Sequence, residues 1–259
     1  MKKIVFVISF LVAIVACTTD DASINSSNNN TNNNTSANQQ TTGSSANDLL
    51  SDATYTSMLI ELVYVEGFEP TQTAINNFVA FLEARTFKPN GITVETRAIA
   101  SPGNSPYTTT EIRAIEDANR TAYNTENQIA VWAFFADGAS ANNTSSGVVL
   151  GTAYRNTSFV IYEETIHGYS DSALEPNRSV LETTVITHEF GHVLGLTNLG
   201  TDLQSDHEDA THPKHCNEED CLMYWSAETG DGIANLISGG SAPQLDAQCI
   251  ADLQANGGK

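Results

Sequence analysis

Basic side chains are scarce in this chain. Lys and Arg number 11 against 31 Asp and Glu over 259 residues, a formal charge of −20. Such an acidic surface repels phosphate backbones and anionic headgroups, so nucleic acid and anionic lipid are disfavoured as partners. Cysteine is sparse too: Cys17, Cys216, Cys221 and Cys249 are all there is. Long apolar runs are missing, and Ile4–Val15, behind Lys2 and Lys3, is too brief for a comfortable membrane span and reads as a targeting segment. Residues 18–50 lack apolar periodicity and are nearly all Thr, Ser, Asn, Gln and Ala. They are expected to form a flexible tether with a reach on the order of 30 Å. What remains, 51–259, is the size of one domain with its own core.

Against that background, His188-Glu189-Phe190-Gly191-His192 stands out. On a helix, a four-residue spacing puts both imidazoles on one face, one turn apart, where two nitrogens can grip one metal ion. Glu189 would then project beside the ion, where it can take a proton from water. Pro176 and Asn177 break the chain upstream, and Ser179 with Glu182 has the spacing of a capping box. Val180, Leu181, Val185, Ile186, Phe190, Val193 and Leu194 recur at helical intervals, which predicts a helix over roughly 180–195 with a left-handed exit at Gly195. The bland alternative is a buried structural helix whose histidines are only hydrogen-bonded.

A catalytic zinc usually takes a third protein ligand and keeps one position open. Downstream, His215-Cys216 is followed by Cys221-Leu222-Met223. With His188, Glu189, His192 and Gly195, this run resembles the archaemetzincins, a metzincin branch of zinc peptidases, with extra residues spliced in after Leu196. The resemblance covers about 188–223. It implies His215 as third zinc ligand, Met223 as the methionine of the turn beneath the metal, and 197–214 as an insertion. His207 is the rival ligand, with His212 and Asn198 behind it; Asn198 holds the place where other metzincins carry their third ligand. Archaemetzincins hold a second, structural zinc with four cysteines, the last two as Cys-x-x-Cys. Only Cys216, Cys221 and Cys249 are present here, so the count argues against that site. In an oxidising compartment a disulfide, Cys216–Cys221 or either with Cys249, is expected instead. The acidic residues Asp202, Asp206, Glu208 and Asp209 could bind calcium, although such clusters are more often solvated surface.

Ile14-Val15-Ala16-Cys17 resembles a bacterial lipobox. This implies a signal peptide over 1–17, lipidation of Cys17 and anchoring in the bacterial cell envelope, at the outer membrane or cell surface. An ordinary cleaved signal peptide is the alternative.

The scaffold reads as α+β. Strands are expected at Met58–Val65, Ile92–Ile99, Gln128–Ala136, Val148–Tyr154 and Ser158–Tyr162. Gln128–Ala136 is continuously apolar, as suits a strand covered on both faces. Helices are expected around Ile75–Leu82 and over Thr108–Ala122. The order predicts a mixed twisted sheet with packed helices, the metzincin-like arrangement, then a small irregular C-terminal subdomain from about 197. By resemblance, Val148–Tyr154 is the edge strand bordering the cleft, where an extended peptide could pair. The leading functional expectation is a monomeric zinc endopeptidase acting on peptide or protein, with one catalytic zinc and Glu189 as general base. Tyr224 is a candidate to steady the oxyanion. Its rivals are a non-catalytic surface lipoprotein that retains the metal site and a metal scavenger using the loop histidines.

Overall fold

Apolar residues alternate to two different faces along β1 (Ser57–Val65), and the sheet grows outward from that strand. Parallel pairing joins β1 to β2 (Ile92–Ile99) on one side and to β3 (Gln128–Phe135) on the other. β3 pairs in parallel with β5 (Ser158–Ile161), and β4 (Gly151–Arg155) closes the sheet as its single antiparallel strand. The order is β2-β1-β3-β5-β4, so β4 lies at an edge. The computed structural model describes residues 35–145, 147–170, 175–228 and 240–259. The expected leader, Cys17 and the tether as far as residue 34 lie outside them. No helix among the described residues is long and apolar enough to cross a membrane.

Two apolar layers sandwich β3. Ile129, Val131, Ala133 and Phe135 belong to one, Trp132 and Phe134 to the other. The first is covered by α2 (Gln72–Arg85) and α5 (Arg178–Val193), where Phe78 and Phe190 meet edge to face at 5.1 Å. The second is covered by α3 (Thr109–Asn119) through Ile112 and Ile115. α3 starts at a capping box formed by Thr108 and Glu111.

Two expectations fail here. Residues 35–50 are folded, not a tether. Asn38, fully buried, donates to Asn124, the Ala130 carbonyl and Thr157 at 2.8–3.0 Å. Asn156 bonds Ala37, Gln40 and Ser45, and α1 (Ala46–Leu50) buries Leu49 and Leu50. Amide networks with few apolar residues carry no periodic signal, which is why composition misreads this stretch as disordered. Nor is the Ser179–Glu182 capping box formed. Asn177 caps α5 by accepting from the Ser179 amide, while Glu182 turns inward to accept from the Thr71 amide and hydroxyl.

Candidate metal centre

α5 is buried along most of its length, although it carries three threonines and two histidines in the buried stretch. The threonines fold back on the helix: Thr183, Thr184 and Thr187 donate to the carbonyls of Ser179, Val180 and Thr183 at 2.6–2.8 Å. Their hydroxyls are thereby satisfied without solvent. At the C-terminus, Gly195 takes φ +77° and the Leu196 amide donates to the Gly191 carbonyl. The chain leaves the helix sharply just past His192.

His188 and His192 face one another with their Nε2 atoms 3.1 Å apart. The insertion brings His215 to them, its ring stacked on His188 at 5.4 Å and edge-on to His192 at 5.1 Å. One nitrogen from each ring lies within 4.8 Å of the others, all three side chains being buried. Backbone contacts set the tautomers: His188 Nδ1 donates to the Leu222 carbonyl at 2.7 Å and His215 Nδ1 to Pro213 at 3.2 Å. Both arrangements turn Nε2 toward the common point. Two fixed imidazoles plus a third in reach make a donor set that suits zinc.

Glu189 Oε2 accepts from the Ala153 amide of β4 at 2.7 Å. Its carboxylate lies against Gly151, where a Cβ would come within 2.6 Å of Cγ and 2.7 Å of Oε1. Met223 passes beneath α5, and any side chain at Gly191 would overlap its sulfur. A cavity of about 280 Å³ opens over Glu189, His192 and His215, walled by Gly151–Ala153, Leu199, Lys214 and Thr42. Thr42 belongs to the N-terminal stretch expected to be tether. Gly43 next to it packs so tightly on Leu199 and Gly200 that no Cβ fits.

The other ligand candidates lie elsewhere. Asn198 is exposed and donates to Glu208 at 3.0 Å. His212 stacks on Trp225 at 4.3 Å and bonds Asp209. Neither Tyr224 nor Trp225 lines the cavity. In the acidic cluster, Glu208 accepts from Asn198 and the Lys214 amide, and Asp209 from Thr211 and His212. These residues form no metal-binding group among the described residues.

His207 is fully buried in a second cluster that the cysteine count had argued against. A donor atom from each of His207, Cys216, Asp246 and Cys249 lies within 4.8 Å of the rest. His207 Nδ1 is 3.5 Å from Cys216 Sγ and 4.0 Å from Cys249 Sγ, and Cys221 Sγ is 3.7 Å from Cys249 Sγ. The expected disulfide is therefore absent: the three thiols are free, and 3.7 Å far exceeds a sulfur–sulfur bond of about 2.05 Å. Hydrogen bonds with Cys216 and Cys249 hold the Cys221 thiol well below the usual thiol range. Asp252 accepts from His207 Nε2 at 2.8 Å, which leaves Nδ1 to face the sulfurs. Asp246 caps α6 (Ala247–Ala255) by accepting from the Cys249 amide at 2.7 Å. Asp246-Ala-Gln-Cys249 keeps the Cys-x-x-Cys spacing with aspartate first, a signal legible in the sequence but unread.

A mixed sheet backing a two-histidine helix, with Met223 in a turn beneath it, is a metzincin-like fold. Among solved structures, the archaemetzincin from Methanopyrus kandleri is similar over 78% of this chain and 96% of its own, with TM-score 0.51 and 17% identity. Metalloproteinase-II from Bacteroides fragilis aligns with 79% of this chain at TM-score 0.41 and 16% identity, and this chain spans about half its length, 54%. No family model and no curated protein matches the sequence.

Proposed function

We propose that the protein is a zinc-dependent endopeptidase with Glu189 as its proton-transfer group. The observation that carries this reading is the convergence of three buried imidazoles beside a carboxylate fixed to the sheet edge. His188, His192 and His215 would hold the ion. Zinc bound there supplies Lewis acidity, polarising a carbonyl and bringing a water pKa toward about 7. With Oε2 anchored by the Ala153 amide, the Glu189 carboxylate is held where it would take the water proton and later return it to the leaving amine. Gly151 leaves the space that this carboxylate needs. The edge strand β4 offers backbone groups to an extended substrate, apart from the Ala153 amide already used by Glu189. Met223 contributes an apolar floor rather than a ligand.

The second cluster supports a second, structural zinc held by Cys216, Cys221, Cys249 and His207, with Asp252 orienting the imidazole. Tetrahedral zinc with bonds of about 2.3 Å to sulfur sets its sulfurs roughly 3.8 Å apart, close to the spacing found. Asp246 is the competing fourth donor: its Oδ1 caps α6, while its Oδ2 lies 3.3 Å from Cys216 Sγ. Calcium has no comparable support. Anchoring through a lipid on Cys17 in the cell envelope rests on the residue pattern there, and a monomer acting on peptides is the simplest working form.

Metal analysis and cleavage of a mixed peptide library test the reading. The wild type should carry two zinc ions. His215→Ala should lose one ion and activity, and His207→Ala should lose the other. Glu189→Gln should keep both ions and lose cleavage by at least about a hundredfold. An unchanged cleavage profile in Glu189→Gln would remove the enzyme reading in favour of a non-catalytic metal protein.

A further inference from the structure

Lys214 adjoins His215 and lines the same cavity as Glu189 and His192. Its backbone is pinned on both sides. The amide donates to Glu208 Oε1 at 2.7 Å, and the carbonyl accepts from the Thr197 hydroxyl. The residue sits at φ +72°, a left-handed conformation that costs a non-glycine residue free energy and persists here because those bonds hold it. The backbone of this exposed residue is thus fixed at the wall of the cavity, and a four-carbon stem gives its charge the reach to meet a ligand there.

The other described lysines are engaged. Lys88 Nζ donates to the carbonyls of Asp48, Ser51 and Tyr55, and Lys259 Nζ donates to Glu83 and lies over the Phe87 ring. Lys214 Nζ has no hydrogen bond or ion pair among the described residues. Glu208, which meets the Lys214 backbone, is committed to the Lys214 amide and to Asn198. In a chain of net charge −20, an uncommitted lysine lining the candidate catalytic cavity is a strong local exception. The surrounding field repels anionic peptides, whereas this one position attracts a carboxylate.

We infer that Lys214 is a specificity determinant that binds a substrate carboxylate within about two residues of the reacting carbonyl. An extended substrate advances about 3.4 Å per residue, and Lys214 is next in sequence to a candidate zinc ligand, which sets that limit. The carboxylate can belong to an aspartate or glutamate side chain or to a free peptide C-terminus. This inference rests on the endopeptidase reading.

The experiment uses the full zinc-loaded chain and a set of peptides identical except for Glu or Gln at each position flanking the scissile bond. Each peptide is made with a free and an amidated C-terminus. The expected result is a preference for the carboxylate of about fivefold in kcat/KM, carried by KM and shrinking as salt is added. Lys214→Met should bring the ratio close to one, and Lys214→Glu should invert it, with zinc content unchanged in both. Dependence on an internal Glu in amidated peptides identifies the side chain as the source; dependence on the free acid identifies the C-terminus. Calorimetric binding of the same pairs to the Glu189→Gln variant reads the preference without turnover. A wild-type ratio near one at every position, or a ratio that survives Lys214→Met, would overturn the inference while leaving the peptidase reading intact. If the wild type cleaves nothing, that reading fails, and the binding ratio still decides the role of Lys214.

Discussion

Glu189 owes its position to a residue with no side chain. Its Oε2 is held by the Ala153 amide, and the rest of the carboxylate occupies the volume that a Cβ on Gly151 would fill. Gly151→Ala puts a methyl group 2.7 Å from Oε1, so either the carboxylate or the strand must move. Misplacing a proton-transfer group by about 1 Å can cost on the order of a hundredfold in rate. The variant should therefore lose about that much in kcat, with zinc content and KM near wild type. A kcat within threefold of wild type would mean that Glu189 does not work from this position. Gly151 was not legible in the sequence, because a glycine required by a neighbour 38 positions away leaves no local pattern. The two histidines and Glu189 were legible for the opposite reason: their geometry follows from helical pitch alone.

At the scale of elements, the far end of α5 brings Glu182 against a carboxylate of α4 (Glu163–Gly168). Burial pushes Glu163 up to about 7. Burial and the charge of Glu163 push Glu182 up to about 8. His167 lies 3.2 Å from Glu163, and Arg178 acts on Glu163 electrostatically. The folded protein thus retains protons that an unfolded chain releases near pH 4.5. Their contribution to stability is present at low pH and fades as pH rises through about 7 to 8. Thermal unfolding from pH 5 to 8.5 should show a falling Tm, and Glu182→Gln should flatten the slope, since its amide can donate to Glu163 without ionising. The gap between variant and wild type at pH 8 should be a few degrees, as about 1 kcal/mol moves a domain of this size by 2–4 °C. Parallel pH profiles for the two proteins would refute the account of retained protons. The periodicity of α5 was readable, but the inward turn of Glu182 toward Thr71 was not, because a Ser-x-x-Glu spacing looks the same whether the glutamate caps its own helix or bonds a distant loop. The β3 core strand was readable from its unbroken apolar run, and the edge position of β4 agrees with the expectation drawn from resemblance. Residues 35–50 escaped because their anchors are the buried amides of Asn38 and Asn156, residue types whose presence ordinarily signals solvent.

Over the whole molecule, the sheet and the C-terminal region differ in what holds them together. β1 and β3 lie between two apolar layers and need no ion. From 197 onward regular structure is sparse among the described residues, and the insertion, the Met223 turn and α6 meet at His207, Cys216, Asp246 and Cys249, with Cys221 Sγ 3.7 Å from Cys249 Sγ. Cys216 adjoins His215, and Cys221 is two positions from Met223. Loss of an ion from the cysteine cluster should therefore loosen the third candidate ligand of the other site as well. Chelation of the zinc-loaded protein, followed by hydrogen exchange, should deprotect amides over 207–223 and 247–255 while β1 and β3 stay protected. Tm should fall by about 10 °C or more, consistent with a ligand bound far below its working concentration. Cys249→Ser should reproduce the deprotection without a chelator and lower His215-dependent zinc binding. Uniform exchange across sheet and C-terminal region, or no response to chelation at all, would show that apolar packing alone holds residues 197–259 and that the cysteines carry no ion.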